Sequence, residues 1–471
     1  MRIVLVRPFV DSTVGVSPPF SLMYLSSTLK SRGFDVRILD HCVERAALRP
    51  ERADNPLVDA LVSRIRDHRP DVIGMTLFSR ELGDMSQLCA RLARELPEST
   101  IVLGGPHPTA MPRETLELVR GCDVVVRGEA EFVLLDLVAA LRDGRPLESV
   151  RGIAFRNGGG EVVLTPEGEV PQDLDALPFP DREGVMQHYR DRTYSSFVYG
   201  SPSDLLMTSR GCPFQCRFCF KVCVEYRSRS PENVLAEIDW VMEHVAPASI
   251  QFMDDSFTIQ RPRAHAILDG LIERRYPVRI KVRSRVNVVD EPLLRKMKQA
   301  GVDTIVYGLE SGSQTMLDAF DKRTKVRQNV EACRMARRAG LHCLGDMILF
   351  YPGETRSTLE ETRRFIRDAN PTAVKFYVLS PLPQTRVYEE AKTNGTLVGD
   401  WGTSEETPWV RLPEFGGIDE MQAIAKRMYL GSLMRPGRAL GILRAYGASM
   451  LRNPRLAATL VLSNVRKKMK Y

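Results

Sequence analysis

Three cysteines stand close together in the middle of the chain, within the segment Arg210–Phe220. Cys212, Cys216 and Cys219 follow a C-x3-C-x2-C spacing. Thiolates this close in sequence can bind one face of an iron–sulfur cluster, and a cubane cluster usually takes four cysteines. Three ligands would leave one iron open to another molecule. The alternatives are three ordinary buried cysteines or a zinc site completed by Cys223, although zinc sites favour paired C-x2-4-C spacings.

With Phe218 before the last cysteine, this spacing resembles the signature of the radical S-adenosylmethionine (SAM) superfamily. The resemblance implies that Cys212, Cys216 and Cys219 hold a 4Fe-4S cluster whose open iron takes the amino and carboxylate groups of SAM. It further implies that one electron, from an external donor such as flavodoxin or ferredoxin, splits SAM and releases a 5′-deoxyadenosyl radical.

Short aliphatic runs alternate with helical stretches through the first third of the chain. The runs lie at 3–6, 36–39, 72–76, 101–103 and 124–126. Unbroken aliphatic strands between amphipathic helices indicate a parallel sheet covered on both faces. Five such units predict a flavodoxin-like, Rossmann-type α/β domain, whose ligand lies beyond the carboxyl ends of the strands at the topological switch point.

Four loops follow the strands of this predicted sheet, and the pair Gly104 and Gly105 in one of them would let a flat or bulky ligand approach the backbone. The loops are Pro8–Phe20, Thr76–Glu81, Gly104–Thr109 and Gly128–Glu131. Their order, upstream of the cysteine motif, resembles the cobalamin-binding domain that precedes many radical SAM domains. The resemblance implies cobalamin contacts from Ser17, Thr76, Ser79, Gly104, Gly105, His107, Thr109, Gly128 and Glu129. A flavodoxin-like domain without a cofactor is the alternative.

One feature departs from the D-x-H-x-x-G motif of many cobalamin domains, in which the histidine binds cobalt. The first loop reads Asp11–Gly15 without a histidine, and His41 lacks the glycine that would follow it. We therefore expect cobalamin to bind without a histidine ligand to cobalt. His107 is then expected to contact the corrin side or to structure its loop.

Further strands and helices follow the cysteines. With the strand before Cys212 they give six βα units, which resemble the partial (βα)6 TIM-like barrel of radical SAM domains. Reacting groups of such barrels lie at the carboxyl ends of the strands. The predicted domains are a cobalamin-binding domain at 1–145, a hairpin and linker at 146–195, a radical SAM domain at 196–415 and a basic helical C-terminal segment at 416–471.

Polar residues end several of the barrel strands, and the resemblance gives each a role toward SAM. It implies that Asp254 and Asp255 reach the amine, Arg283 and Ser284 the carboxylate, Glu310 the ribose, and the loop at Tyr351 the adenine, with Phe218 beside the cluster. Relatives often have glycine where Gln384 stands. The sequence shows no obvious acid–base dyad, and we predict no catalytic residue from it.

Composition and charge indicate the compartment in which the protein acts and the kinds of partner that it binds. The nine cysteines include six scattered ones, which is typical of reduced thiols in the cytoplasm. No apolar run is long enough to span a membrane. The net charge is +7, yet residues 420–471 hold eleven Lys and Arg against one Glu. The remainder is slightly acidic, which argues against a nucleic-acid partner.

The basic C-terminal segment has apolar side chains at near-helical spacing beside its arginines. Leu440, Leu443 and Met450 lie near Arg438 and Arg444. It is predicted either to cap the barrel or to contact an anionic membrane at its inner face, since basic faces beside aliphatic ones suit an interface. Similar basic C-terminal segments occur in relatives that act on lipid-like or polycyclic substrates, so we expect a small-molecule, hydrophobic substrate.

Together these features predict a cobalamin-dependent radical SAM C-methyltransferase of biosynthesis, acting through a 5′-deoxyadenosyl radical and methylcobalamin on an unactivated carbon. The same architecture could instead catalyse cyclisation, ring rearrangement or oxidation. A non-catalytic cobalamin sensor is the alternative from another class of protein, and the intact cysteine motif argues against it.

Overall fold

The computed structural model describes residues 1–8, 16–42, 56–196, 200–401 and 407–433. They form two compact units. The first comprises Met1–Tyr194 with Trp401, and the second comprises Ser195–Asp400 and the described residues from 407 onward. The predicted basic helical segment begins with the helix Ile418–Leu433, and the rest of the segment lies outside the described residues.

The first unit is built on a seven-stranded sheet of order β2-β1-β3-β4-β5-β6-β7. Its strands are β1 Arg2–Arg7, β2 Asp35–Asp40, β3 Val72–Thr76, β4 Thr100–Gly104, β5 Val124–Val126, β6 Ile153–Arg156 and β7 Val162–Leu164. The first five pair in parallel, and β6 and β7 add an antiparallel hairpin. The order β2-β1-β3-β4-β5 is flavodoxin-like, and its switch point lies between β1 and β3.

Helices cover both faces of this sheet because successive strand residues point to opposite sides. The helices are α1 Phe20–Lys30, α2 Pro56–Asp67, α3 Leu82–Glu95, α4 Pro106–Ala110, α5 Pro112–Leu118, α6 Ala130–Asp143 and α7 Met186–Arg190. In β1, Val4 and Val6 join the core under α2 and α3, whereas Ile3 and Leu5 join the core under α1 and α6. The aliphatic runs are unbroken because alternate residues of one strand enter two different hydrophobic cores, one on each face of the sheet.

The second unit holds six parallel strands in the order β15-β14-β13-β12-β11-β8. They are β8 Ser203–Leu206, β11 Ser249–Phe252, β12 Arg279–Ser284, β13 Val302–Glu310, β14 His342–Leu349 and β15 Ala373–Val378. The short strands β9 Ser209–Arg210 and β10 Arg227–Ser228 pair with each other, as do β16 Leu397–Val398 and β17 Trp409–Val410. The predicted fold class is confirmed.

Helices follow these strands and bury one face of the sheet in a large apolar core. They are α8 Pro231–His244, α9 Arg261–Arg274, α10 Glu291–Gln299, α11 Gln314–Ala319, α12 Val326–Arg338, α13 Arg356–Ala369, α14 Arg386–Thr393 and α15 Ile418–Leu433. Ser230, Asp290 and Thr355 cap three of them by accepting a hydrogen bond from a backbone N–H of the first turn. The opposite face of the sheet, which we call the inner face, carries the polar side chains described below.

Four helices among the described residues were not predicted from the sequence, namely α4, α7, α11 and α14. Helix α4 lies within the Gly104–Thr109 loop, where Pro106 occupies its first turn, a position that proline favours. Helix α11 follows the end of β13. No helix in the described part of the chain combines the length and apolar character needed to cross a membrane.

Candidate cofactor sites

The cysteine loop follows β9 and is attached to the second unit at two points. The backbone N–H of Arg217 donates to the carbonyl of Phe320 at 3.0 Å, and the carbonyl of Arg217 accepts from the N–H of Val387 at 3.2 Å. Lys221 Nζ donates to the carbonyl of Cys212 at 2.7 Å and to that of Phe214. These hydrogen bonds thus fix the backbone of the cysteine loop at Cys212, Phe214 and Arg217.

Arg285, just beyond β12, packs directly against this loop. Its guanidinium lies 3.7 Å from the centre of the Phe214 ring, and its Nη1 lies 3.6 Å from the Sγ of Cys216. Another of its nitrogens donates to the carbonyl of Lys322. Arg285 is 6% exposed. The contact of Arg285 with Cys216 was not predicted, because the two residues are distant in sequence.

The donor set of the loop fits a 4Fe-4S cluster. Cys212 and Cys216 are half-buried and Cys219 is exposed, so solvent reaches the loop. Cys219 is nevertheless closely surrounded by protein, which raises its pKa to about 11, and the neighbouring Cys216 adds to the shift. Within the described residues, no three His, Cys, Asp or Glu side chains are grouped to hold a single metal ion. Soft thiolates are the ligands that iron–sulfur clusters take.

Aromatic rings support the loop from below. Phe218 packs edge-on against Phe320 with ring centres 5.6 Å apart, and Phe320 packs in the same way against Tyr351 at 4.6 Å. Tyr351 is 2% exposed, and its burial raises its pKa to about 12. Tyr351 therefore lies in the packing layer under the loop.

The two acidic residues after β11 occupy different environments. Asp254 is fully buried, and its carboxylate accepts hydrogen bonds from the N–H and hydroxyl of Thr208 and, at 2.8 Å, from the hydroxyl of Ser209. Asp255 is exposed to solvent, and desolvation by the surrounding protein raises its pKa, with Asp254 adding to the shift. Asp254 thus holds the strand before the cysteine loop, and Asp255 is the carboxyl that a ligand can reach.

Arg283 and Ser284 end β12 and face opposite sides of the sheet. Arg283 lies on the inner face, where its Nη1 is 3.2 Å from Asp346 Oδ2. Ser284 is buried, and its hydroxyl is 2.5 Å from that of Thr258. The structure therefore does not bring these two side chains together around one ligand group.

Glu310, at the end of β13, has a partner within the protein. Lys322 Nζ lies 2.7 Å from its Oε1, and both side chains are less than a tenth exposed. This ion pair compensates the burial of the Glu310 carboxylate, so burial alone does not indicate that Glu310 binds a ligand. The pair still lies at the carboxyl end of the inner face.

Non-glycine residues with a left-handed backbone lie at or after the ends of three adjacent strands. Glu310 has φ 61°, Phe350 has φ 65°, and Gln384, in the loop after β15, has φ 63°. Such conformations cost free energy in L-residues and are concentrated at functional sites. Glycine would suit position 384 because it adopts a left-handed backbone without the steric cost that a side chain such as that of Gln384 brings.

In the first unit, the loops after β3, β4 and β5 are joined at the carboxyl ends of the strands. His107 Nδ1 lies 2.9 Å from the Ser79 hydroxyl, and the Thr109 hydroxyl accepts a hydrogen bond from the Gly128 N–H at 3.0 Å. The N–H of His107 also donates to the carbonyl of Leu77. His107 is buried, and desolvation lowers its pKa to about 4, so its ring is neutral.

This loop cluster fits a large planar ligand at the switch point. Gly105 has φ 105°, and a Cβ there would lie 2.8 Å from Thr76 Cγ2. A Cβ at Gly128 would meet nothing within 4 Å, which leaves open space beside the backbone. The buried Nε2 of His107 has no hydrogen-bond partner among the described residues. Glycine backbone, open space and an unused polar atom are what a cofactor cradle requires.

The remaining residues predicted for cobalamin are more dispersed. Ser17 is exposed at the end of the first loop, and most of that loop lies outside the described residues. Gly104 ends β4, where a Cβ would lie 3.8 Å from Val126, and Glu129 is buried at the start of α6. His41 follows the edge strand β2 and is 1% exposed. Its backbone N–H donates to the carbonyl of Arg7, the last residue of β1, at 3.2 Å.

Comparison with known proteins finds a different family match in each part of the chain. Residues 6–138 match the B12 binding domain, and residues 206–366 match the Radical SAM superfamily. An uncharacterised methyltransferase of Pyrococcus horikoshii is 30% identical over 448 residues, which are 93% of each chain. The chain belongs to the cobalamin-dependent radical SAM family. Its cofactors are accordingly cobalamin, SAM and a 4Fe-4S cluster, as predicted, and it is a radical SAM enzyme.

Two further relatives of this cobalamin-dependent radical SAM enzyme are informative. The anaerobic magnesium-protoporphyrin IX monomethyl ester cyclase of Cereibacter sphaeroides is 30% identical over 406 residues, covering 83% of this chain and 64% of the cyclase. The solved structure of the cobalamin-dependent SAM radical enzyme OxsB with aqua-cobalamin bound superposes with a TM-score of 0.75 at 20% identity, covering 92% of this chain and 67% of OxsB. The similarity to OxsB supports the fold described above.

Proposed function

We propose that this enzyme transfers a methyl group from SAM to an unactivated carbon of a small molecule. The observation that carries the proposal is the presence of both elements in one chain: an accessible three-thiol loop in the second unit and a glycine-lined cradle at the switch point of the first. The P. horikoshii methyltransferase aligns across both elements. Bound together, the cofactors supply hydrogen abstraction and methyl delivery.

In this proposal Cys212, Cys216 and Cys219 bind the cluster, with Phe218 packing beneath it. Arg285 holds the loop through Phe214 and adds a positive charge beside Cys216. Charge and hydrogen bonding near a cluster sulfur tune its reduction potential. Arg285 thus fixes both the shape and the electrostatics of the thiol loop.

Toward SAM, the proposal assigns Asp255 to the amine and Arg283 to the carboxylate. Both are accessible charged groups at the carboxyl ends of neighbouring strands, and their charges are opposite to those of the SAM groups they would meet. Asp254, Ser284 and Tyr351 would support these residues from behind. Glu310, held by Lys322, would stand at the ribose.

Toward cobalamin, Gly104, Gly105 and Gly128 would let the corrin approach the loop backbone. Thr76, Ser79, Thr109, Ser17 and Glu129 would provide polar contacts around it. His107 is neutral and bound to Ser79 through Nδ1, which suits a loop-structuring residue. We propose that cobalt has no histidine ligand.

The proposal is tested by anaerobic assay of the reconstituted protein with SAM, an electron donor and a small-molecule extract. Methyl transfer uses SAM twice, so S-adenosylhomocysteine and 5′-deoxyadenosine should form together. Cys212→Ala, Cys216→Ala and Cys219→Ala should each abolish 5′-deoxyadenosine and lose iron. Cys223→Ala is the matched control in the same loop and should retain both. Equal iron loss in Cys223→Ala would contradict the ligand assignment.

The second candidate function is radical cyclisation, ring rearrangement or oxidation without methyl transfer. It is favoured by the cyclase of C. sphaeroides, which has the same identity to this chain as the P. horikoshii methyltransferase. In that case 5′-deoxyadenosine would form with extract while S-adenosylhomocysteine stayed at the level seen without extract. The same assay therefore separates the two candidates.

We further propose a reducing partner and, through the basic segment at 420–471, peripheral contact with the inner face of an anionic membrane. Small electron-transfer proteins such as flavodoxin or ferredoxin supply the single electron that the cluster needs. The membrane proposal rests on eleven basic residues set among apolar ones. A lipid-like or polycyclic substrate would be met at such a surface.

A further inference from the structure

The cysteine loop is flanked by exposed arginines on both sides. Through the two backbone hydrogen bonds of Arg217, the loop lies between the end of α11 and the start of α14. Arg323, after α11, has a side chain that is 70% exposed, and Arg386, the first residue of α14, is also exposed. Arg323 lowers the pKa of the Asp321 carboxyl by donating a hydrogen bond to it, and the charges of Arg386 and Arg217 lower it further. Three guanidinium groups therefore converge on one carboxylate beside the cysteines.

The arginines continue from this point along α12. Arg327 and Arg334 lie about 10 Å apart along the helix, and they line a surface groove of about 610 Å³. Two carboxylates also line the groove, but Glu331 is paired with Arg338 at 2.8 Å, and Asp368 is paired with the arginine before it at 3.4 Å. Neither Arg327 nor Arg334 has an ion pair within the described part of the chain. We use the name arginine surface for Arg217, Arg323, Arg327, Arg334 and Arg386.

The segments that form the arginine surface hold more cations than carboxylates. Residues 212–224 contain two cations and no carboxylate, and residues 314–338 contain seven cations and three carboxylates. Helix α14 contains two of each. One of these cations, Lys322, is neutralised by Glu310. The remaining positive excess contrasts with the slightly acidic composition of the chain before residue 420.

A positive surface beside an accessible thiol loop suits an acidic protein that must come close to the cluster. Cys219 is exposed, so the loop is open to a partner at this surface. Complementary charge raises the rate at which two proteins meet in the correct orientation, without requiring a large contact area. Redox partners typically bury less than about 1,200 Å² in total. An interface of this size can include both the cysteine loop and the arginines of α12.

We propose that the arginine surface docks an acidic one-electron carrier protein, which reduces the cluster from the side of Arg217. The inference rests on the proposed function and deepens it, because it gives the reducing partner of the same cluster a docking site. The carrier is oxidised by one electron and the cluster is reduced by that electron. No bond forms or breaks at this surface, and no proton is transferred there. Arg327 and Arg334 attract the carrier, whereas Arg217 and Arg323 contact it nearest to the cysteines.

The rate of cluster reduction tests this surface without any substrate. Full-length protein, with its cluster and cobalamin, is mixed anaerobically with fully reduced flavodoxin, and the reduced cluster is followed by freeze-quench paramagnetic resonance. The test variant is Arg327→Glu/Arg334→Glu, because both residues lie outside the cysteine loop. The control variant is Arg142→Glu/Arg145→Glu, which makes the same change in net charge. These exposed arginines lie at the end of α6 that is remote from the carboxyl ends of the strands.

The second-order rate constant for reduction by flavodoxin should fall at least about tenfold at low salt in Arg327→Glu/Arg334→Glu, the lower end of what electrostatic steering contributes. The difference should diminish as salt rises, since salt screens exposed charges. Reduced methyl viologen, a small cation, should reduce this variant at least as fast as the wild type. If the test and control variants react with flavodoxin at equal rates, the arginine surface is not the docking site and the inference is wrong.

Anionic vesicles distinguish a protein docking site from a membrane-binding surface. If Arg327→Glu/Arg334→Glu no longer sedimented with phosphatidylserine vesicles but was reduced by flavodoxin at the wild-type rate, the surface would bind membrane and the inference would be overturned. We expect the opposite, namely slower reduction with sedimentation unchanged. Because reduction of the cluster precedes any reaction of substrate, an enzyme that catalysed cyclisation instead of methyl transfer would give the same results. Failure of the proposed function is therefore distinguishable from failure of this inference.

Discussion

Arg285 Nη1 lies 3.6 Å from the Sγ of Cys216, and the same guanidinium covers the Phe214 ring. One buried cation thus contacts two residues of the thiol loop. Because a positive charge near a cluster sulfur favours the reduced cluster, Arg285 connects the shape of the loop to the ease with which the cluster accepts an electron.

Replacing Arg285 with glutamine should lower the reduction potential of the cluster and slow SAM cleavage. The variant removes the charge beside Cys216 and the stacking on Phe214, so some iron should also be lost. Iron content and potentiometric titration measure both effects. Arg295→Gln, which removes an exposed arginine on α10, is the control. An unchanged potential in Arg285→Gln at full iron content would show that the arginine has only a packing role.

The cobalt of the bound corrin should have no histidine ligand. Paramagnetic resonance of the reduced corrin in the full-length protein should lack the splitting that an axial nitrogen produces. His41 is buried at the edge strand, and His107 is engaged with Ser79. The prediction fails if nitrogen splitting is observed and disappears in His41→Ala or His107→Ala.

Glu354 should make the stability of the protein depend on pH. It is 3% exposed and accepts hydrogen bonds from the Phe350 N–H and the Thr358 hydroxyl. Burial raises its pKa from 4.5 to about 8. Between pH 4.5 and 8 the Glu354 carboxyl therefore keeps its proton in the folded state and loses it in the unfolded state. The free energy of unfolding decreases as pH rises through this range, by up to about 4 kcal/mol.

Glu354→Gln cannot lose that proton, while its amide oxygen can still accept from Phe350. The variant should therefore gain stability relative to the wild type as pH rises from 4.5 to 8. Urea unfolding at the two ends of this range measures the difference. Glu360→Gln, an exposed position on the helix α13 that follows Glu354, should show no such trend. A constant difference at both pH values would contradict the prediction.

The basic segment should bind anionic vesicles. Full-length protein should sediment with phosphatidylserine-containing liposomes at low salt and be released as salt rises, because each basic group near such a surface contributes roughly 1 kcal/mol. Protein truncated before Glu420 should remain in the supernatant, provided that it retains its iron and corrin. Equal sedimentation of the two proteins would leave the segment with a packing role.

Much of this fold could be predicted because its determinants are local. The aliphatic runs of β1 and β3 and the spacing of Cys212, Cys216 and Cys219 are read directly from the sequence. Asp254 and Asp255 could not be distinguished, since only the fold shows that Thr208 and Ser209 take up the first carboxylate. The contact of Arg285 with Cys216 depends on the tertiary fold, which brings together residues that are distant along the chain.

The central claim is methyl transfer to a carbon of a small molecule, and isotope labelling in cells tests it most directly. A strain producing this protein and one producing its Cys216→Ala variant are grown anaerobically with methionine deuterated in its methyl group, and their metabolites are compared by mass spectrometry. We predict a compound that requires the intact cysteine and carries the added trideuteromethyl group on carbon. A compound that requires Cys216 but gains no deuterated methyl group would contradict methyl transfer and favour cyclisation or rearrangement.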